Sequence, residues 1–184
     1  KAFDILQRSP LLKNRLNLNL AEKKVTISEG GYPIDLYEKT SLRSNYLIEM
    51  MMILANLCVS ETLTQATTKY ISREHKSPEK HALTELNIFM RHNDLPEIKE
   101  KQVTSRSFNQ LIKRCRDPKK KKLISKFVLR MLPKANYSEK DNGHFGLNLP
   151  TYCHFTSPIR RYADLTVHRS LALALKWEVG KPTV

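Results

Sequence analysis

The segment from Tyr152 to Arg169, YCHFTSPIRRYADLTVHR, gathers the side chains best suited to chemistry on an anion. Arg160 and Arg161 are adjacent, and guanidinium groups make bidentate hydrogen bonds to phosphate oxygens. Ser157 and Pro158 read as the N-cap and first residue of a helix running to about Trp177. Free N–H groups and the positive dipole end at such a start attract phosphate. Two cations there oppose the dipole, so they weaken the helix unless an anion arrives. Arg160, Asp164 and His168 are spaced i, i+4, i+8 and would share one face. An ordinary surface ion pair between Arg160 and Asp164, with His168 as a core or capping histidine, explains the same spacing. From these residues alone it is the stronger reading.

Other candidates are fewer. Glu49 sits inside the apolar run Leu47 to Val59, where a carboxylate needs a partner or a task. The Met50-Met51-Met52 run reads as core filler on a central helix rather than an adaptable binding surface. The aspartates, at positions 4, 35, 94, 117, 141 and 164, are isolated, so no metal cluster is expected in this chain. Cys58, Cys115 and Cys153 are far apart, odd in number and without CxxC spacing. Neither a disulfide framework nor a zinc knuckle is indicated, and reduced thiols in a cytosol-like compartment are expected.

The elements that must position these residues fit within 184 residues, 40% hydrophobic and 27% charged, a globular composition rather than a disordered tail. A formal charge of +14 makes an anionic partner the natural one. Residues 99–134 hold thirteen Lys and Arg against two acids, a local net of +11. That stretch is either a solvated helical face or a phosphate-attracting surface. The densest apolar run, Tyr46 to Val59, is interrupted by Glu49 and Asn56, so no membrane span of roughly 18 residues is expected. No secretory signal is visible, and the first residue is Lys1 rather than Met, which leads us to expect a piece of something longer.

Residues 2–8 predict a short helix ending near Pro10. Leu16, Leu18 and Leu20 alternate with Asn17 and Asn19, and beyond them come Val25 and Ile27, a turn at Gly30-Gly31, then Ile34 and Leu36. This predicts a half-buried antiparallel meander over about 14–39. A long helix over about 42–69, apolar almost all round, should be buried on most faces. Tyr70 to His75 predicts a short strand, and Ser77-Pro78-Glu79 the start of a helix to about Met90. Two helices, 107–116 and 119–131, are split at Asp117-Pro118. Gly143 to Leu149 predicts a turn and short strand, leading to the signature loop and helix over about 143–177.

HFTSPIRRYADLTVHR resembles the signature of the RNase II / RNase R family of exoribonucleases. LIEMMMILAN, from Leu47 to Asn56, is similar to that family's LIEE…LAN helix. YISREHKSP, from Tyr70 to Pro78, resembles its aromatic-Arg-x-His-x-x-Pro segment, with one extra residue. Ala135, Tyr137 and Gly143-His144-Phe145-Gly146-Leu147 match its A-x-Y…GHFGL stretch. His154-Phe155 before Thr156-Ser157-Pro158 is the form of the RNase R branch. The resemblance implies an α/β (α+β) fold, the helix-rich C-terminal half of an RNB-type catalytic domain with a small antiparallel β portion.

It further implies part of a processive 3′→5′ exoribonuclease that hydrolyses single-stranded RNA to 5′-mononucleotides with two Mg²⁺ ions. Arg160 matches the catalytic arginine. Arg161, Tyr162, His154 and Ser157 match positions of RNA contact or channel shaping, Asp164, His168 and Arg169 structural positions, and Glu49 a helix acid facing the terminal ribose. Where the family carries a second Glu, this chain has Met50, and Pro133 is a further departure. The family's metal-binding aspartates belong upstream of the LIEE helix and have no counterpart here. The expected parent is cytoplasmic, without membrane contact, and supplies the missing N-terminal half and flanking OB-type domains. The alternative is a basic RNA-binding module that does not cut. A weaker third is a structural basic protein bound to nucleic acid.

Overall fold

Proline positions and apolar spacing set the order of elements in the computed structural model, which describes residues 2–18, 20, 23–39, 41–99 and 103–177. Asn19 of the alternating pattern, and Glu100 and Lys101 of the basic stretch, lie outside the described residues. Helix α1 (Ala2–Arg8) stops at Ser9, and Pro10 opens the single turn α2 (Pro10–Lys13). Strands β1 (Lys23–Ile27) and β2 (Pro33–Glu38) form an antiparallel hairpin with Val25 opposite Leu36. Gly31 takes the positive φ its turn requires.

The hairpin departs from the half-buried expectation. Val25, Ile27, Ile34 and Leu36 are all exposed, because the two strands pack chiefly on each other. Leu16 and Leu18 are not in a strand either; they pack against the helical core. Asn109 explains why. Its Oδ1 accepts from the Asn17 N–H at 2.8 Å and its Nδ2 donates to the Arg15 carbonyl at 2.8 Å, so a side chain supplies bonds a neighbouring strand would otherwise make.

Helix α3 (Arg43–Gln65) is the spine. Met50, Ile53, Asn56, Leu57, Ser60 and Leu63 form its buried stripe, while Ile48, Met51 and Cys58 on the other side are exposed. The expectation of burial on most faces is therefore corrected, since α1 and α7 (Tyr162–Ala174) cover only one side of it. By length and composition α3 could cross a membrane, against the expectation from Glu49 and Asn56. Its buried stripe is spent on protein packing, as in the core helix of a globular domain.

Strand β3 (Ser72–Glu74) pairs antiparallel with β4 (Asn136–Ser138), Arg73 facing Tyr137. Helix α4 (Lys80–His92) begins later than Ser77-Pro78 predicted, because Glu79 is still extended and caps without a side-chain bond. Helix α5 (Ser105–Arg114) is capped by Thr104, whose Oγ1 accepts from the Ser107 N–H at 3.1 Å. Helix α6 (Pro118–Met131) begins at the predicted Asp117-Pro118 split. Seven α-helices, one 3₁₀ turn (Phe145–Leu147) and two small antiparallel sheets make up the regular structure of the described residues. The 3₁₀ turn replaces the short strand predicted over Gly143 to Leu149, because His144 Nδ1 accepts the Leu147 N–H and closes it.

Among the described residues three apolar clusters hold the fold. One joins α4, α5 and α6 around Leu86, Phe108, Ile124 and Val128; a second joins the N-terminal turns to α3; a third joins α3 to α7 around Leu63 and Val167. Full burial of each such leucine contributes about 1.5–3 kcal/mol. Residues 143–155 run through all three. Phe145 packs on the first, Leu149 and Tyr152 lie in the second, Cys153 and Phe155 in the third. Gly143 has φ +77, and a Cβ there would meet the Leu149 carbonyl oxygen at 2.7 Å. At Gly146 a Cβ would meet His75 Nδ1 at 2.8 Å, the atom that accepts the Gly146 N–H.

Candidate functional site

The signature segment is positioned from α3. Buried Asn56 donates from Nδ2 to the Tyr152 hydroxyl at 2.9 Å and accepts the Phe155 N–H at 2.9 Å, while its carbonyl takes the Cys153 thiol at 3.4 Å. On the other side, Arg73 of β3 donates its N–H to the Tyr152 carbonyl at 2.8 Å. His168 on α7 stacks on Phe155 with ring centroids 3.9 Å apart, and its Nε2–H donates to the Phe155 carbonyl at 2.8 Å. The backbone up to Phe155 is thus gripped by two helices and a strand.

Beyond it the chain does not enter the helix directly. The Ser157 carbonyl accepts the Arg160 and Arg161 N–H groups at 3.3 and 3.2 Å, which closes one isolated turn. Arg161 is then extended (φ −134°, ψ 115°) and is itself the N-cap of α7. The predicted cap at Ser157 is therefore corrected. The reason is Asp164, which is 0% exposed. Its Oδ2 accepts from the Ser157 N–H at 2.8 Å and from Arg161 Nη2 at 2.8 Å. Seven residues of continuous helix would set Ser157 about 10 Å away along the axis. Only a turn and a break let the buried carboxylate reach both donors.

This break separates the two arginines. Arg161 is turned inward, 21% exposed, and paired with Asp164. Arg160 lies outside α7, so it cannot share the face of Asp164 and His168; it is exposed, with no ion-pair partner among the described residues. Ile159 and Tyr162 flank it and are exposed as well. Asp164 Oδ1, Arg161 Nε and Thr156 Oγ1 are buried without a hydrogen-bond partner among the described residues. The turn is accordingly anchored by charge from below and open above.

His154 sits behind the turn, its Nδ1 2.9 Å from the Tyr137 hydroxyl, and Arg73 lies over the Tyr137 ring at 4.7 Å. Burial, then the charges of Arg161 and Arg73, push its pKa down to about 4. Rings continue inward from His154 to Tyr152, His144 and His75 at centroid distances of 6.0, 5.3 and 4.9 Å. Burial and the charge of His75 push His144 down to about 3. These histidines are neutral near pH 7 and act as hydrogen-bond partners. Burial pushes the Cys153 thiol up to about 12, which removes it as a nucleophile.

Glu49 lies elsewhere. It is 52% exposed rather than buried, with Oε1 3.5 Å from Arg15 Nη1. Together with Arg15, Leu18, Tyr46, His75 and His144 it lines a cavity of 680 Å³ whose wall does not include Arg160. Among the described residues no group of three or more His, Cys, Asp or Glu is placed to hold a metal ion. The acids have other partners: Asp117 caps α6, Asp141 accepts from Tyr70 at 2.7 Å, and Asp164 anchors the turn. The described residues do not fit a divalent-metal site.

Asn56, Arg73 and Tyr137 are contributors that residue-type reasoning passes over. A lone polar residue in an apolar helix was the available signal for Asn56.

An outward arginine on a turn anchored by a buried acid, in a strongly basic chain of helices and small sheets, is an arrangement for meeting a polyanion. The chain belongs to the RNB domain family, whose match spans residues 3–177. It is 32% identical over 176 residues to ribonuclease R of Aquifex aeolicus, covering 96% of this chain and 25% of that protein. Identity to the exosome complex exonuclease dis3 of Schizosaccharomyces pombe is also 32%, over 100% of this chain and 20% of that one. The solved structure of Mycoplasma genitalium RNase R in complex with ribose methylated single-stranded RNA superposes with a TM-score of 0.85 at 30% identity. That match covers 94% of this chain and 28% of the other. The chain spans only a fifth to a quarter of the length of these two relatives.

Proposed function

We propose that this chain is part of a processive 3′→5′ exoribonuclease acting on single-stranded RNA and releasing 5′-mononucleotides. Its contribution is Arg160, which neutralises charge on the scissile phosphate. The observation that carries the reading is the split arginine pair: one guanidinium consumed in anchoring the turn, the other exposed and without an ion-pair partner among the described residues. Family membership and the RNA-bound ribonuclease R structure support RNA as the polyanion. Tyr162 and Ile159 offer exposed surface for base or sugar contact beside Arg160. The divalent cations, Mg²⁺ by family resemblance, would take their ligands from outside this chain.

In the full-length protein, Arg160→Ala is expected to slow mononucleotide release about 10²–10³-fold, the usual loss for one preorganised donor. RNA affinity should change far less. Equal losses of binding and rate would assign the turn a binding role only, the reading of a module that holds RNA without cutting it.

A further inference from the structure

A second, smaller cavity of 330 Å³ lies between the N-terminal turns and helices α5 and α6. Lys13, Arg15, Lys113 and Lys121 line it with Gln7 and Asn109, and no acid lies on its wall among the described residues. None of the three ammonium groups has an ion-pair or hydrogen-bond partner among those residues. Arg15 is 22% exposed, and its Nη1 is buried without a hydrogen bond among the described residues. Asn109 fixes this arrangement by clamping the backbone at Arg15 and Asn17. Four cations brought together from α2, the loop after it, α5 and α6 repel one another unless an anion lies between them.

We propose that this cavity binds a compact polyphosphate, such as the phosphate tail of a free nucleotide. Its volume is at the small end for ligand sites, which suits a short ligand rather than a threaded strand. Lysines supply most of the charge on its wall, and as mobile point charges they suit a rotating phosphate chain. Arg15 links the site to its neighbour. Its Nη1 is 3.5 Å from Glu49 Oε1 in the larger cavity, so a bound polyanion competes with Glu49 for the same guanidinium.

Inorganic tripolyphosphate, titrated calorimetrically into the full-length protein, tests this. The double variant Lys113→Gln/Lys121→Gln is expected to weaken binding at least tenfold, while Lys119→Gln/Lys126→Gln, an equal charge loss on the exposed part of α6, leaves it nearly unchanged. All four positions are on helix surfaces, and an unaltered melting temperature checks the fold. Glu49→Gln is expected to tighten binding by freeing Arg15. Equal weakening by both double variants would reduce the site to diffuse charge and overturn the proposal. So would loss of single-stranded RNA binding in Lys113→Gln/Lys121→Gln with tripolyphosphate binding intact, which would make the cavity a strand contact. Unchanged or weaker binding in Glu49→Gln would overturn the link between the cavities. These outcomes are independent of Arg160.

Discussion

Two proline-led turns with nearly the same local sequence logic end differently. At Asp117-Pro118 the carboxylate caps at once, Oδ1 accepting the Lys119 N–H at 2.8 Å and the Lys120 N–H at 3.4 Å, and α6 starts without delay. At Ser157-Pro158 one turn closes, the chain breaks at Arg161, and α7 starts at Tyr162. The difference is where the acid stands. Asp117 occupies the cap and satisfies its neighbours. Asp164 sits inside the next helix, wholly buried, and reaches back across the turn. A cap in the first arrangement builds a helix; an anchor in the second builds a loop that displays Arg160.

The largest effect expected from this contrast is at Asp164. Replacing it with Ala leaves Arg161 largely buried without its counterion and the Ser157 N–H without an acceptor. Breaking such a buried pair costs about 3 kcal/mol or somewhat more. For a chain of this size that lowers Tm by roughly 6–12 °C. Differential scanning calorimetry reads it directly. Asp164→Asn keeps an acceptor and should lose less. If Asp164→Ala melts within a degree of the parent, the anchor account of this turn is wrong.

A second effect sharpens the contrast through pH. The signature side carries His144 and His154, held neutral by burial, while α5 and α6 carry no histidine. Because the unfolded chain binds a proton near pH 6.5 and folded His144 only at about 3, its contribution is full above 6.5 and falls as pH drops. At pH 5 the loss is about 2 kcal/mol from this group, at about 1.36 kcal/mol per pH unit. Hydrogen exchange should show amides of residues 143–155 losing protection on acidification before those of α6. Uniform loss across both regions would remove the histidine argument.

Much of the frame was legible. The hairpin turn at Gly30-Gly31, the α5–α6 split and the strand at 72–74 arise from local turn chemistry and period, which the sequence states directly. What could not be read locally are the outcomes decided by distant partners. Ser77-Pro78 and Ser157-Pro158 both look like helix starts, yet neither opens its helix directly. His75, just before the first, is bonded through its backbone to Gly143 and Phe145, and Asp164 holds the second from within α7. Leu16 and Leu18 alternate like a strand, but Asn109, some ninety residues on, takes the backbone bonds instead. Of the site, the residue types were visible and their division of labour was not. No spacing rule tells which of two adjacent arginines faces a carboxylate that the fold buries.

The smallest effect concerns the plain turn. Asp117→Ala removes a cap that satisfies two N–H groups in solvent, where water replaces much of what is lost. The expected cost is about 1 kcal/mol, and Asp117→Ser should recover most of it, because a hydroxyl caps nearly as well. RNA affinity should rise slightly or stay level, since an exposed negative charge leaves a strongly basic stretch. Calorimetry and a salt-titrated binding assay measure the two effects separately. A loss as large as that of Asp164→Ala would mean that the Asp117 cap holds more than its own helix, and the distinction between cap and anchor would fail.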